Sequence, residues 1–274
     1  MAYSKGGPNS DIWIRELKRD APMHLTFDPS EDKGSPVWSP DGSELLFHVS
    51  LGGKTHAGIY RKSSSGTGTE ELWAQPKDPD TALWPTDWPR NGQFILGVQG
   101  GVVNRLRGEI WVLPVSGDRK PRVFVRAPSA AYDGQFSPDG HWVAYVPRES
   151  GREEVYVVPF DGNQVSNTQP FQQVPLKRGG RCPRTAEHSH GGAAMVKSFS
   201  MSAQGANSGI GVEVRGNQFS VSEVRSLFRQ TLFVVASPYD VSPDGQRFLV
   251  NGFGERGTLP LTLVVNWKES LKNK

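Results

Sequence analysis

The sequence predicts an all-β chain assembled from repeated four-stranded antiparallel units, and three observations predict it. The tetrapeptide Ser-Pro-Asp-Gly occurs at Ser39 to Gly42, Ser137 to Gly140 and Ser242 to Gly245, each time followed by an alternating or apolar strand pattern. A degenerate copy, Pro89-Arg90-Asn91-Gly92, follows Asp87-Trp88, so the turn positions Asp41, Asn91, Asp139 and Asp244 lie 50, 48 and 105 residues apart. The last gap is two periods, which leaves one copy missing near residue 190. Finally, 31 glycines and 21 prolines supply turns, and no stretch carries a sustained helical apolar stripe.

Each unit opens with a short strand ending in a bulky residue: Val37-Trp38, Asp87-Trp88, Gln135-Phe136 and Tyr239-Asp240-Val241. The turn follows. Proline presets φ at about −65°, Asp or Asn bonds back to the turn backbone, and glycine accepts the left-handed conformation of a tight hairpin. The structural turn residues are therefore Asp41, Gly42, Asn91, Gly92, Asp139, Gly140, Asp244 and Gly245. The returning strands Leu45-Leu46-Phe47, Phe94-Ile95-Leu96, Trp142-Val143-Ala144-Tyr145 and Phe248-Leu249-Val250 suit a buried sheet. A third strand recurs as Asp11-Ile12-Trp13-Ile14, Gly58-Ile59-Tyr60, Glu109-Ile110-Trp111-Val112, Glu154-Val155-Tyr156-Val157 and Leu263-Val264-Val265. A weaker fourth strand appears as His24-Leu25-Thr26-Phe27, Glu71-Leu72-Trp73 and Arg122-Val123-Phe124-Val125. Four antiparallel strands that need a neighbour on both faces make one β-propeller blade; a sandwich does not reuse one turn at a constant period. The expected layout is a single domain over 1–274, with a partial first blade at 1–30, blades at 31–80, 81–128 and 129–178, a disrupted blade at 179–230 and a last blade at 231–274. Residues 11–27 read as the third and fourth strands of the first blade, whose hairpin is expected upstream of Met1. Five blades result if those strands close the ring with the last blade, six if a longer parent supplies the rest.

Residues 179–208 break the pattern and read as loop or disorder where a blade is due. Read one base out of frame, permissible codons for His190 to Gln204 spell PRWRRDGKELFYVSA, a strand, an Asp-Gly turn and a strand. The turn aspartate then falls at position 195, giving spacings of 56 and 49. The expectation is an out-of-frame segment with a compensating shift before Val212-Glu213-Val214; the plain alternative is a natural insertion.

Composition excludes several functions. Net charge is +3, but the basic residues are interspersed with 28 acidic ones, which argues against a nucleic-acid partner. A membrane span needs about 20 consecutive apolar residues, and runs such as Leu232 to Ala236 are far shorter. Met1 to Gly7 lacks the apolar stretch of a signal peptide, and the single Cys182 forbids an internal disulfide. Cys182, Glu187, His188 and His190 are zinc-type ligands by chemistry, yet all lie in the aberrant segment, so no metal and no cofactor is expected. His190-Gly191-Gly192 lacks the Gly-x-Ser-x-Gly elbow that a serine hydrolase requires. Gly66-Thr67-Gly68 and Gly209-Ile210-Gly211 lack the lysine and helix of a phosphate cradle and read as turns. His24, His48, His56 and His141 read as surface residues, and Trp13, Trp38, Trp88 and Trp111 as packing between blades.

The pattern of an apolar residue and Trp or Phe, then Ser-Pro-Asp-Gly, an apolar strand, Ile-Trp/Tyr-Val and Leu-Thr resembles the TolB-type (WD40-like) propeller repeat, also found beside prolyl-oligopeptidase-type hydrolase domains. Tyr239 to Asn251 followed by Leu263-Val264-Val265-Asn266-Trp267 resembles the carboxyl end of propellers on bacterial eukaryotic-like serine/threonine kinases. The kinase nucleotide loop, His-Arg-Asp and Asp-Phe-Gly motifs are absent, so no catalysis is expected from this chain. The resemblance implies a ligand-sensing or protein-interaction module of a receptor kinase, its parent membrane-anchored with the propeller outside the cytoplasm. Two alternatives stand beside it: a separate TolB-like binding propeller, or the gating propeller of a prolyl-oligopeptidase-type hydrolase. In the resembled repeat the Asp-Gly hairpins lie on one face. The opposite face would carry Trp84, Tyr132 and Tyr239, with Arg148 and Glu149 from a neighbouring loop, an aromatic funnel suited to a protein, peptide or small-molecule ligand.

Overall fold

The computed structural model describes residues 1–6, 9–28, 30–50, 57–78, 80–101, 108–126, 131–137, 140–147 and 154–162, then the strand segments 172–175, 197–202, 209–214, 225–226, 239–241, 247–251 and 261–265. Every regular element among them is a β-strand. The chain divides into two compact units, Met1–Gly151 with Val158–Pro170, and Arg152–Val157 with Phe171–Lys274.

In the first unit, β1 (Ala2–Gly6), β2 (Ser10–Glu16) and β3 (Ala21–His24) form a three-stranded antiparallel sheet in that order. Next come two four-stranded meanders, β4 (Lys33–Trp38) to β5 (Glu44–Val49), β6 (Gly58–Ser63) and β7 (Glu71–Ala74), and β8 (Thr81–Asp87) to β9 (Phe94–Gly101), β10 (Glu109–Pro114) and β11 (Arg122–Val125). Strands β12 (Ala131–Phe136), β13 (Trp142–Pro147), β14 (Glu154–Pro159) and β15 (Gln172–Pro175) follow the same order, the boundary between the units falling inside β14. The second unit continues with β16 (Lys197–Ser202), β17 (Gly209–Val214) and β18 (Arg225–Ser226), then β19 (Tyr239–Val241), β20 (Arg247–Asn251) and β21 (Leu261–Val265), each set in sequence order. A four-stranded antiparallel meander in sequence order is a propeller blade.

Two features differ from the sequence expectation. The first sheet has three strands rather than two: β1 pairs along its whole length with β2, from Ala2↔Ile14 to Gly6↔Ser10. The run Ala2-Tyr3-Ser4-Lys5-Gly6 carries little intrinsic strand signal and is ordered by the ladder it joins. Lys197–Ser202, expected as loop, and Gly209-Ile210-Gly211, expected as a turn, pair with each other as β16 and the start of β17. Serines at 198, 200 and 202 alternate there with Phe199 and Met201, a period of two. The rest of the aberrant segment, 179–196 and 203–208, lies outside the described residues, as do Asp139, Asp244 and Gly245.

The hairpins show why the repeat has its composition. Gly42, Gly92 and Gly140 take φ of 73°, 67° and 73° and donate their N–H to the carbonyls of Ser39, Pro89 and Ser137 at 2.8–2.9 Å. Asp41 accepts from the hydroxyls of Ser39 and Ser43 at 2.6 and 2.8 Å. These bonds, the Ser39 hydroxyl foremost, hold its carboxyl down to about 2. The motif serine ties strand to returning strand: the Ser39 and Ser137 hydroxyls accept the N–H of Glu44 and Trp142 at 2.9 and 3.0 Å.

Strand alternation splits the core into two seams. Leu45, Phe47, Val49 and Tyr60 meet Ile12 and Leu25 of the first sheet. Leu46, Ile59 and Ala74 face the other way, onto Leu83, Ile95, Trp111 and Leu113 of the third. Strand β5 thus buries both faces, as a blade between two blades must.

Candidate functional site

The Asp-Gly hairpins mark one end of each first strand; the other end, where that strand begins, is here called the inlet face. Trp84 stands at the middle of β8, half-buried, its ring 5.7 Å from that of His48 and tilted by 50°. His48 is buried at the end of β5. The His48 ring packs on the β4 backbone at Gly34, where a Cβ would stand 3.3 Å from its Nδ1, and Ser35 next to it takes a φ of 52°. Strands β4, β8 and β12 each carry a register break, between Gly34 and Val37, Pro85 and Asp87, and Tyr132 and Gln135. Such bulges re-aim side chains at the rim of a sheet. One result is that Asp87 Oδ2 accepts the Phe136 N–H at 2.7 Å, joining β8 to β12.

Of the five ligand-facing residues expected from sequence, Trp84 is the one whose side chain is described. Tyr132 and Tyr239 are placed as backbone positions in β12 and β19, the latter in the second unit, and Arg148 and Glu149 lie outside the described residues.

Between the first and second sheets lies a polar cluster that the sequence pattern does not announce. Lys33, at the start of β4, has no exposed side-chain surface; its ammonium lies 3.2 Å from Glu31, 3.6 Å from Asp11 and 3.7 Å from Glu70. None of the three is aligned as a hydrogen bond, so the Lys33 donors point into an acidic cage held by charge alone. Asp11 accepts from the Thr26 hydroxyl at 2.7 Å and lies 3.0 Å from His24 Nε2, and the Thr26 hydroxyl accepts the Ile12 N–H at 2.9 Å. His24 stacks on Trp13 at 4.1 Å and meets Phe27 at 4.4 Å. Burial raises the Glu70 carboxyl above its ordinary value; Lys33 and Lys62 oppose that, and Glu31 and Asp11 reinforce it. One sequence signal could have exposed the cluster. Counted back from the bulky residue before the turn, Lys33 occupies the position that Leu83 and Ala131 fill in the next two blades. A charge at an apolar repeat position demands a partner.

Among the described residues no set of three or more His, Cys, Asp or Glu side chains is arranged to hold a metal ion, and no helix is long and apolar enough to cross a membrane. The arrangement offers the half-buried Trp84 indole, backed by the buried His48 ring, and an internal ionic clamp between blades.

No protein-family model and no curated protein matches the sequence. Solved structures do. The chain is similar to TolB from Acinetobacter baumannii, with a TM-score of 0.64 and 18% identity, over 97% of this chain and 60% of that one. It is similar to a TolB structure from Agrobacterium tumefaciens at 0.60 and 18%, over 97% and 86%. A puromycin-hydrolysing peptidase of Mycobacterium tuberculosis aligns at 0.57 and 15%, over 96% of this chain and 44% of that enzyme. The chain thus spans about three-fifths of the length of the Acinetobacter protein. Meanders with Asp-Gly hairpins and these likenesses together give the chain the fold of a TolB-type β-propeller.

Proposed function

We propose that this chain is a non-catalytic interaction propeller that takes a protein, peptide or small-molecule ligand at its inlet face. We further propose that it is the carboxyl-terminal sensing module of a receptor-type bacterial serine/threonine kinase. The observation that carries the binding role is Trp84: a half-buried indole packed beside the buried His48 ring. Aromatic anchors of this kind, polar on one edge and apolar on the face, supply most of the energy of peptide and ligand recognition. The kinase context is supported by the motif from Tyr239 to Trp267. Residues 179–208 then represent an inner hairpin lost to a shifted frame.

Panning a random peptide library on the intact chain, and measuring Kd for a selected peptide, tests the binding role. Trp84→Ala is expected to weaken binding about tenfold or more; equal affinity for both proteins would remove the inlet face from the reading. Sequencing the locus tests the parentage. An in-frame kinase domain upstream and single-base errors flanking 179–208 are expected, and an intact frame with no kinase overturns that part.

A further inference from the structure

We infer that Arg119 is a pre-organised carboxylate receptor at the hairpin end of the third blade, which takes an aspartate or glutamate side chain from an acidic segment of a partner protein. This goes beyond the inlet face and does not depend on it.

The repeat shows what is unusual at this position. Val115 and Ser64 open equivalent turns, from β10 to β11 and from β6 to β7: each donates its N–H at 2.9 Å to the carbonyl of the residue after a hairpin glycine, Gln93 and Ser43. Gly117 and Gly66 follow, with φ of 80° and 83°. Next, the second blade has Gly68 with a φ of 77°, and the third blade has Arg119 in its place with a φ of 47°. A left-handed backbone suits glycine and strains a residue with a long side chain. Strain kept where the sister turn uses glycine points to a task for the side chain.

That side chain is held in one place. The backbone fixes its root, its Nε donates to the Val115 carbonyl at 3.2 Å, and its guanidinium carbon lies 4.6 Å from the centre of the Trp73 ring. Arg119 is nevertheless exposed. Its two terminal amino groups carry four N–H donors, and no described residue accepts from them.

Arg61 shows the completed form of the same arrangement. Its guanidinium carbon lies 4.7 Å from the centre of the same indole, and its donors are taken: Nε and Nη2 by Glu71 at 2.9 and 2.7 Å, with Nη1 3.6 Å from Glu44. Among the described residues Arg119 has no such carboxylate. Asp118, the one acid of its turn, accepts the Lys120 N–H at 3.3 Å and stands 3.9 Å from Arg122. With Arg119, Lys120 and Arg122 against Asp118, the turn is net positive and favours an acidic partner. A planar fork already fixed in position matches one carboxylate through two parallel bonds and loses little entropy in doing so. Phosphate recognition uses clustered arginines, and the neighbouring Arg61 is already engaged.

The test uses the full chain at low salt with hexaglutamate and hexaglutamine peptides, read by the Arg119 side-chain Nε–H resonance. Hexaglutamate should shift that resonance in a saturable, one-to-one titration, and hexaglutamine should not. Arg119→Gly should leave the urea midpoint near that of the unaltered chain, relief of the positive φ offsetting the lost stack, while affinity for hexaglutamate falls about tenfold. Arg119→Lys keeps the charge without the fork and should lose as much; it decides the matter even if the glycine variant is unstable. Unchanged affinity in Arg119→Lys would reduce the site to diffuse charge and overturn the proposal. So would unchanged affinity in a destabilised Arg119→Gly, which would make Arg119 a staple between blades. Tighter binding of inorganic phosphate than of hexaglutamate would overturn the carboxylate assignment.

Discussion

Two seams flank the second blade, and one repeat builds both, yet different chemistry closes them. Toward the third blade the buried core is apolar, with Leu46, Ile59, Leu83, Ile95, Trp111 and Leu113 all buried and the His48 ring against Trp84 at its edge. Toward the first blade an apolar layer of Ile12, Leu25, Leu45, Phe47 and Val49 is joined by Lys33 and its three carboxylates. The apolar seam fits by shape. Gly97 sits against the Trp111 ring so closely that a Cβ would stand 2.3 Å from its Cζ2 and 2.4 Å from the Trp84 carbonyl oxygen. The ionic seam fits by charge, and each of its members is costly once another is removed.

The largest effect should come from Lys33→Met. It keeps the volume but leaves Asp11, Glu31 and Glu70 facing one another without their cation, at an expected cost of about 3 to 5 kcal/mol in urea unfolding with the m-value unchanged. Gly97→Ala acts within the third blade and reaches the apolar seam through Trp111; it should cost about 1 to 3 kcal/mol, since the Trp111 indole and the Trp84 backbone must both shift. If the alanine variant proves the less stable of the two, the cage is hydrated and the contrast between the seams collapses.

These two substitutions also mark what was legible in the sequence. The apolar seam could be read because strand alternation writes it directly: Leu45 and Phe47 to one side, Leu46 to the other. The hairpins could be read because proline, Asp or Asn, and glycine each answer a local demand of the turn. The serine of the motif was legible only as a repeated letter, since its bond runs across the turn to Glu44 or Trp142. The Lys33 cage was hidden because its members come from positions 11, 31, 33 and 70 and from two sheets, and no local rule links them. Strand β1 was hidden for the same reason: its order comes from β2, not from its own residues. At the inlet face the sequence points to Trp84 but presents His48 as a surface residue, whereas the imidazole is buried against the indole.

The smallest expected effect separates the seams by pH. Burial raises the Glu70 carboxyl above its ordinary value of 4.5. A carboxyl raised in the folded state favours folding most when protonated. Its contribution is full below the unfolded value and is lost as pH rises through the folded one. Asp41 on the hairpin face has the opposite sign: its carboxyl is lowered from 3.8 to about 2, so its contribution is full above 3.8 and is lost as pH falls through about 2. Urea midpoints measured from acid to neutral pH for the wild type, Glu70→Gln and Asp41→Asn should therefore separate. The wild type should lose ground to Glu70→Gln as pH rises above 4.5, and should lose its advantage over Asp41→Asn only below 3.8. The charges facing Glu70 are Lys33, Lys62, Glu31 and Asp11, and a drift above 4.5 that disappears in Glu70→Gln belongs to this carboxyl. Parallel curves for the wild type and Glu70→Gln would mean that Glu70 is solvated, leaving Lys33 with Asp11 and Glu31 as its only buried counter-charges in the cage. The ionic seam would then be a smaller device than its geometry indicates.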